Sequence, residues 1–338
     1  MRKMLCAMVV ALLAIVGCAR GRLGSTAGGG GGGTISLGEL YVATNSSIVR
    51  FNNALSTTGN IVPAATITGP ATTLSAPQHL LLDPTGDRLF VANAGASSIL
   101  VFESASTING NIPPTRTISG SATLLAAPHD LAIDPINNLL YVADGTQILV
   151  FQSASTINGN IPPVHNIDMG FAVGAMFLDG TNDRLFVSDP SGNAIDRLDG
   201  VSVQNGAATV AASIAGTNTG LGQPAGLAVD AAGRLIVANT ATPSITIFSS
   251  AATATGNIAP VATVSGPGTQ LSGPDQIVLN PASTNGELFV ADNLAGAILI
   301  FDNFNAITGA TPPQRTISGN STTLVANDVN GVALDPAR

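Results

Sequence analysis

The 338-residue chain has no tryptophan, only two cysteines and only 9 % charged residues, and residues 35–338 contain no lysine. Each shortage removes a class of function. Without lysine, the body of the chain cannot form a Schiff base or use an amine of lowered pKa as a general base. Four of the 12 basic residues precede residue 35, so eight arginines face all 20 acidic residues and the body carries a net charge of −12. Nucleic acid binding needs a cationic stripe to release counterions, and none can be assembled here. With no tryptophan and 13 aromatics in all, a stacking platform for sugars or a cation cage is short of material. A disordered polyelectrolyte is excluded too, because 45 % of the residues are apolar. What is plentiful is glycine, at 38, and proline, at 20. That excess points to many turns and short strands rather than to a helical bundle.

At the N-terminus, Arg2 and Lys3 precede a 14-residue apolar run from Met4 to Gly17. Such a run is too short to cross a bilayer comfortably and has the form of an export signal, expected over 1–17. The run ends Ile15-Val16-Gly17-Cys18, which resembles the lipobox of bacterial lipoproteins. That resemblance implies cleavage before Cys18, lipidation of its sulfur and anchorage to the membrane. Each buried CH₂ of an acyl chain contributes ~0.8 kcal/mol, so two or three chains hold durably. Ala19, not aspartate, follows the cysteine; by resemblance to Gram-negative sorting signals this implies the outer membrane. Cys6 lies in the removed segment, so the mature domain cannot form an internal disulfide. Residues 18–37, which include six consecutive glycines from Gly28 to Gly33, are expected to be a lipidated cysteine and a flexible tether.

The rest of the chain repeats. Leu40-Tyr41-Val42-Ala43 returns at Leu89, Leu140, Leu185, Leu235 and Leu288, with the valines 49, 51, 45, 50 and 53 residues apart. A second apolar strand follows each copy, then a third after a Gly-Asn and Pro signal, then a fourth ending near Asp83, Asp134, Asp179, Asp230, Asn280 or Asp335. Six units of four short strands fit radial blades around an axis, so residues 38–338 are expected to form an all-β, six-bladed β-propeller. Proline cannot donate to a ladder. Its recurrence at Pro63, Pro113, Pro162, Pro260 and Pro312 therefore marks the third strand as outermost and the fourth as innermost. The first unit lacks an innermost strand and the last segment supplies one, so pairing of the N- and C-terminal segments should close the ring. These units resemble NHL and TolB-like repeats of exported bacterial proteins, and Tyr41 to Asn45 also resembles a surface-protein repeat containing Tyr-Val-Thr-Asn. The resemblance implies fold but not activity.

Ten of the 13 aromatics, among them Tyr41, Phe90, Tyr141 and Phe301, occupy repeat positions and are expected to be core. The residues opening the innermost strands are Gln78, His129, Gly174, Ala225, Asp275 and Asn330. In ring order they give a polar arc of Asp275, Asn330, Gln78 and His129, with His79, Asp130 and Gln276 beside it. Such an arc at a channel mouth offers oxygens for Ca²⁺ or for a polar ligand. A second ring, Thr44, Asn93, Asp144, Asp189, Asn239 and Asp292, is expected to close local turns by bonding N–H groups two residues on.

Six-bladed gluconolactonase and paraoxonase-like hydrolases hold a divalent metal in this channel, and Asp275 and Asn330 match their ligand types, although no glutamate lies on the arc. NHL-type zinc lyases match less well, since His165 falls on an outermost strand. No G-x-S-x-G turn occurs and the mature domain offers no cysteine nucleophile. The expected protein is a monomeric, lipid-anchored, non-catalytic propeller that binds or scaffolds a protein or envelope component and needs no cofactor. The alternative is a metal-dependent, lactonase-type hydrolase.

Overall fold

A computed structural model describes residues 38–83 and 85–337. Cys18, the apolar run and the glycine tether lie outside the described residues. Six antiparallel sheets, each of four main strands, follow one another along the chain. The second blade shows the plan: Pro77–Asp83, Arg88–Asn93, Ser98–Glu103 and Arg116–Ser119 run from innermost to outermost, joined by tight turns. The proline-marked strand is outermost in each blade that has the signal. In the first blade the innermost strand is the C-terminal Gly331–Asp335, paired antiparallel with Glu39–Ala43 from Glu39↔Asp335 to Ala43↔Gly331. The chain is a six-bladed β-propeller whose two ends share one sheet.

Six hydrophobic clusters, one per junction, prove that the ring is closed. Tyr41, Ile48 and Ile67 of the first blade meet Leu89, Leu100 and Phe102 of the second. Around the circle, Phe289, Ile298 and Ile300 of the sixth meet Leu40, Val49 and Phe51 of the first. Because both faces of a blade are covered by neighbours, strands such as Leu139–Asp144 are buried at every position and need no apolar-polar alternation. All ten repeat-position aromatics are buried, none more than 3 % exposed.

The outermost strands, which the prolines alone would leave as open edges, are covered. Each takes a parallel partner from the unit that follows: Ile67 pairs with Gly110, Ile118 with Gly159, Ile214 with Gly256, Val264 with Gly309, and Ile317 with Gly59. At the sixth junction a two-residue strand, Gly206–Ala207, runs parallel to His165–Asp168. A perimeter belt thus satisfies part of the edge that would otherwise invite pairing with another chain.

Candidate functional site at the hub

In four of the six blades the innermost strand opens with a proline, Pro77, Pro128, Pro224 or Pro274, and the register slips just after it. A bulge of this kind re-aims the side chains beside it. The second and third residues of these strands, including six of the candidate ligands, stand at this slip, beside the neighbouring blade.

There they meet a specific need. The innermost strand has one edge without a ladder partner, and a buried N–H on it must be satisfied. Asp130, 2 % exposed, accepts the Met176 N–H of the next blade with Oδ2. Its Oδ1 accepts from Leu131 N at 2.8 Å and lies 2.6 Å from His79 Nδ1. His79 Nδ1 is also 3.0 Å from Leu131 N, again one blade on. Gln276 Oε1 accepts from Val332 N at 3.4 Å. At two other junctions the same position is glycine and the backbones close up instead. A Cβ on Gly226 would stand 2.2 Å from Asp275 O, and one on Gly331 would stand 2.2 Å from Gln78 O.

The other candidates are placed as follows. His129 Nε2 lies 2.5 Å from Val173 O. Asn330 donates to Asn45 Oδ1 at 3.0 Å and Pro77 O at 3.1 Å, and accepts from Asn293 Nδ2 at 3.1 Å. Gln78 donates weakly to Ala76 O at 3.5 Å. Asp275 is half-buried and has no hydrogen-bond partner among the described residues. Burial, and then the nearby Asp130 carboxylate, push its carboxyl up to about 7, with Asp292 adding to the rise and His79 opposing it. Hence His79, Asp130 and Asp275 share one electrostatic environment, while Asn330, Gln78 and His129 are engaged elsewhere. Among the described residues no three His, Cys, Asp or Glu side chains are grouped for a metal ion.

The second ring makes the expected local turns at Thr44 and Asp189 and departs from them at Asn93, Asp144, Asn239 and Asp292. Asn93 Oδ1 accepts from Ser75 N at 2.7 Å. Asp144 takes Ala126 N and Ala127 N at 2.7 and 3.0 Å, and Asp292 takes Ser272 N and Gly273 N, both at 2.8 Å. Those donors lie 17–20 residues earlier, on the loop into the same blade's innermost strand. Thr44 Oγ1 accepts from Ser47 N at 3.1 Å and Asp189 Oδ1 from Gly192 N at 2.8 Å, each closing a turn on the spot, as Asp292 also does with Ala295 N. At the opposite face the aspartates do close turns, as with Asp134 Oδ1 and Ile136 N at 2.8 Å.

What the sequence reading did not single out is the lining of the channel. A cavity of about 890 Å³, lined by all six innermost strands, begins at His79 and ends at Asp230, Asn280, Ser283, Thr284 and Asn305. Its wall between those ends is apolar, mostly aliphatic with Phe177 and Met176. The signal was present in the repeat alignment: the residue preceding each turn aspartate or asparagine is Leu, Ile or Val in all six units. Of the candidate ligands only His79 faces this cavity.

No family model matches the chain, and no curated protein matches it. Solved structures do. A chain in the crystal structure of a nidogen/laminin complex is 15 % identical with a TM-score of 0.59, the match covering 88 % of this chain and 97 % of that one. A protein of unknown function from Bacteroides caccae is 10 % identical with a TM-score of 0.61, covering 88 % and 99 %. A functionally unknown protein from Desulfotomaculum acetoxidans is 14 % identical with a TM-score of 0.52, covering 86 % and 83 %. At these identities the likeness is one of fold, and the fold it supports is the β-propeller.

Proposed function

We propose that this protein is an exported lipoprotein of the NHL or TolB-like kind. It is cleaved before Cys18, held on the bacterial outer membrane by acyl chains on that residue, and raised from the bilayer by residues 19–37. Its propeller is a monomeric, non-catalytic module that binds a protein or another envelope component. One observation carries the non-catalytic part: apart from Asp275, the polar side chains at the hub are engaged within the fold. Asp130 spends both oxygens on backbone N–H groups, and Gln276 and Asn330 bridge blades. Engagement of a partner protein is in keeping with the occurrence of the same fold in a nidogen/laminin complex.

Fractionation and labelling test the anchor. Wild-type chain should sediment with outer membrane and take up an alkynyl fatty acid, whereas Cys18→Ser should do neither; unchanged partitioning of the variant would overturn it. A second reading, the metal-dependent lactonase, rests on Asp275, whose unpartnered carboxyl beside Asp130 and His79 would gain from a cation such as Ca²⁺. Elemental analysis of the purified protein and a lactone and ester screen with and without chelator decide between the two. Chelator-sensitive turnover abolished by Asp275→Ala would replace the binding reading with the hydrolase.

A further inference from the structure

One residue before the turn, the six innermost strands carry Leu82, Ile133, Leu178, Val229, Leu279 and Leu334. Each is half-buried, touching an inter-blade cluster with part of its surface and lining the central cavity with the rest. Side chains on a water-filled channel have no reason to be apolar, and the other ends of these same strands carry His, Asp, Gln and Asn. Six repeats nevertheless place a branched aliphatic here, without exception. The cavity volume, about 890 Å³, falls within the roughly 300–1,000 Å³ of ordinary ligand pockets, which are predominantly apolar with a few polar groups.

The far end sets the charge of what enters. Asp83, Asp134, Asp179, Asp230 and Asp335 occupy equivalent places at the ends of their strands. The arginines close to them are already committed: Arg88 to Asp83 at 2.8 Å, Arg234 to Asp230 at 2.6 Å, and Arg184 to Asp199 at 3.4 Å. Among the described residues a carboxylate or phosphate at this rim would meet Asp230 and no uncommitted arginine, whereas Ser283 and Thr284 offer hydroxyls to an uncharged or cationic group.

We infer that the channel binds the hydrocarbon chain of a non-anionic amphiphile, with its head at the rim formed by Ser283, Thr284 and Asn305. This deepens the binding reading by naming a ligand for the hub. A protein or envelope partner on the outer surface would survive its failure.

Calorimetric titration of purified Cys18→Ser protein with three twelve-carbon probes below their micelle thresholds tests it: dodecyltrimethylammonium, 1-monolauroylglycerol and laurate. The first two should bind saturably at one per chain. Laurate should be at least tenfold weaker at low ionic strength, the gap to the ammonium probe narrowing with salt. Val229→Trp and Leu82→Asn, three blades apart, should each weaken binding at least tenfold while far-UV circular dichroism and Tm hold; Val62→Ser, on an exposed loop outside the cavity lining, should change nothing. A diazirine-bearing dodecanol should label peptides from the innermost strands, which tests the site without any substitution. Absence of saturable binding, laurate binding as tightly as the others, or labelling confined to the outer surface would each overturn the proposal.

Discussion

Two tyrosines at equivalent places show how much a single buried hydroxyl depends on its neighbour. Tyr41 donates to Glu39 Oε2 at 2.8 Å, whereas the Tyr141 hydroxyl is buried with no hydrogen-bond partner among the described residues. An unsatisfied buried polar group carries its desolvation cost without return. Tyr141→Phe is therefore expected to leave stability unchanged or raise it, and Tyr41→Phe to lower it by about 1 kcal/mol, as read by denaturant unfolding. Asp275 gives a second test at this scale. Its native pKa of about 7 lies above the ~3.9 of an unfolded aspartate, so the native state holds a proton that the unfolded state has lost between about pH 4 and pH 7. Stability falls as pH rises through that window, and the loss is complete above it. Asp275→Asn should then raise Tm at pH 8 and leave it nearly unchanged at pH 4; an equal effect at both would show that the carboxyl is not the group responsible.

At the scale of strands, junctions between blades are made in three ways, and residue type selects among them. Large side chains fill the space between sheets, polar acceptors cap the free edge of the next innermost strand, and glycine lets two backbones approach. Gly226 and Gly331 belong to the third kind, with no room for a methyl group against the carbonyls of Asp275 and Gln78. Gly226→Ala or Gly331→Ala should cost about 1–3 kcal/mol through forced separation of the strands, measurable as a lowered denaturation midpoint. Arginine supplies a further link between blades. Arg50, Arg88, Arg116, Arg197, Arg234 and Arg315 each reach a backbone or side-chain oxygen of the following blade, as Arg88 does with Ser155 O at 2.6 Å. Six of the scarce cations are thus spent on holding the wheel together.

For the whole molecule, stability hinges on closure between the first and sixth blades. Arg315 donates to Ala54 O at 2.7 Å and Thr57 O at 3.2 Å across that junction, binds Asp302 at 2.6 Å and Glu287, and lies 5.7 Å above the Phe289 ring. Removing it would strand Glu287 in a largely buried setting, so Arg315→Met should cost about 3 kcal/mol or more. Deleting residues 331–338 is more severe. It exposes the edge of Glu39–Ala43 and opens the ring, and the expected result is loss of a single cooperative unfolding transition together with association seen by size-exclusion chromatography. A truncated chain that still unfolded cooperatively as a monomer would contradict the closure described here.

The primary structure by itself determined the wheel: a motif six times over, prolines before one strand of most units, and complementary deficits at the two ends specify blades, their strand order and the closing pair, because repetition and backbone chemistry act locally. It also marked Asp130, His79 and Gln276 as polar residues in an apolar setting, but not their task. That task belongs to donors 46–56 residues away, which become neighbours only when blades stand side by side. For the same reason Asn93, Asp144, Asn239 and Asp292 looked like the local turns that only Thr44 and Asp189 of their ring purely are. The aliphatic lining was written in the sequence as an unbroken column of Leu, Ile and Val, yet a column becomes a channel wall only once six strands surround a common axis. Tertiary structure alone decided which apolar residues pack against protein on all sides and which leave surface facing an enclosed space.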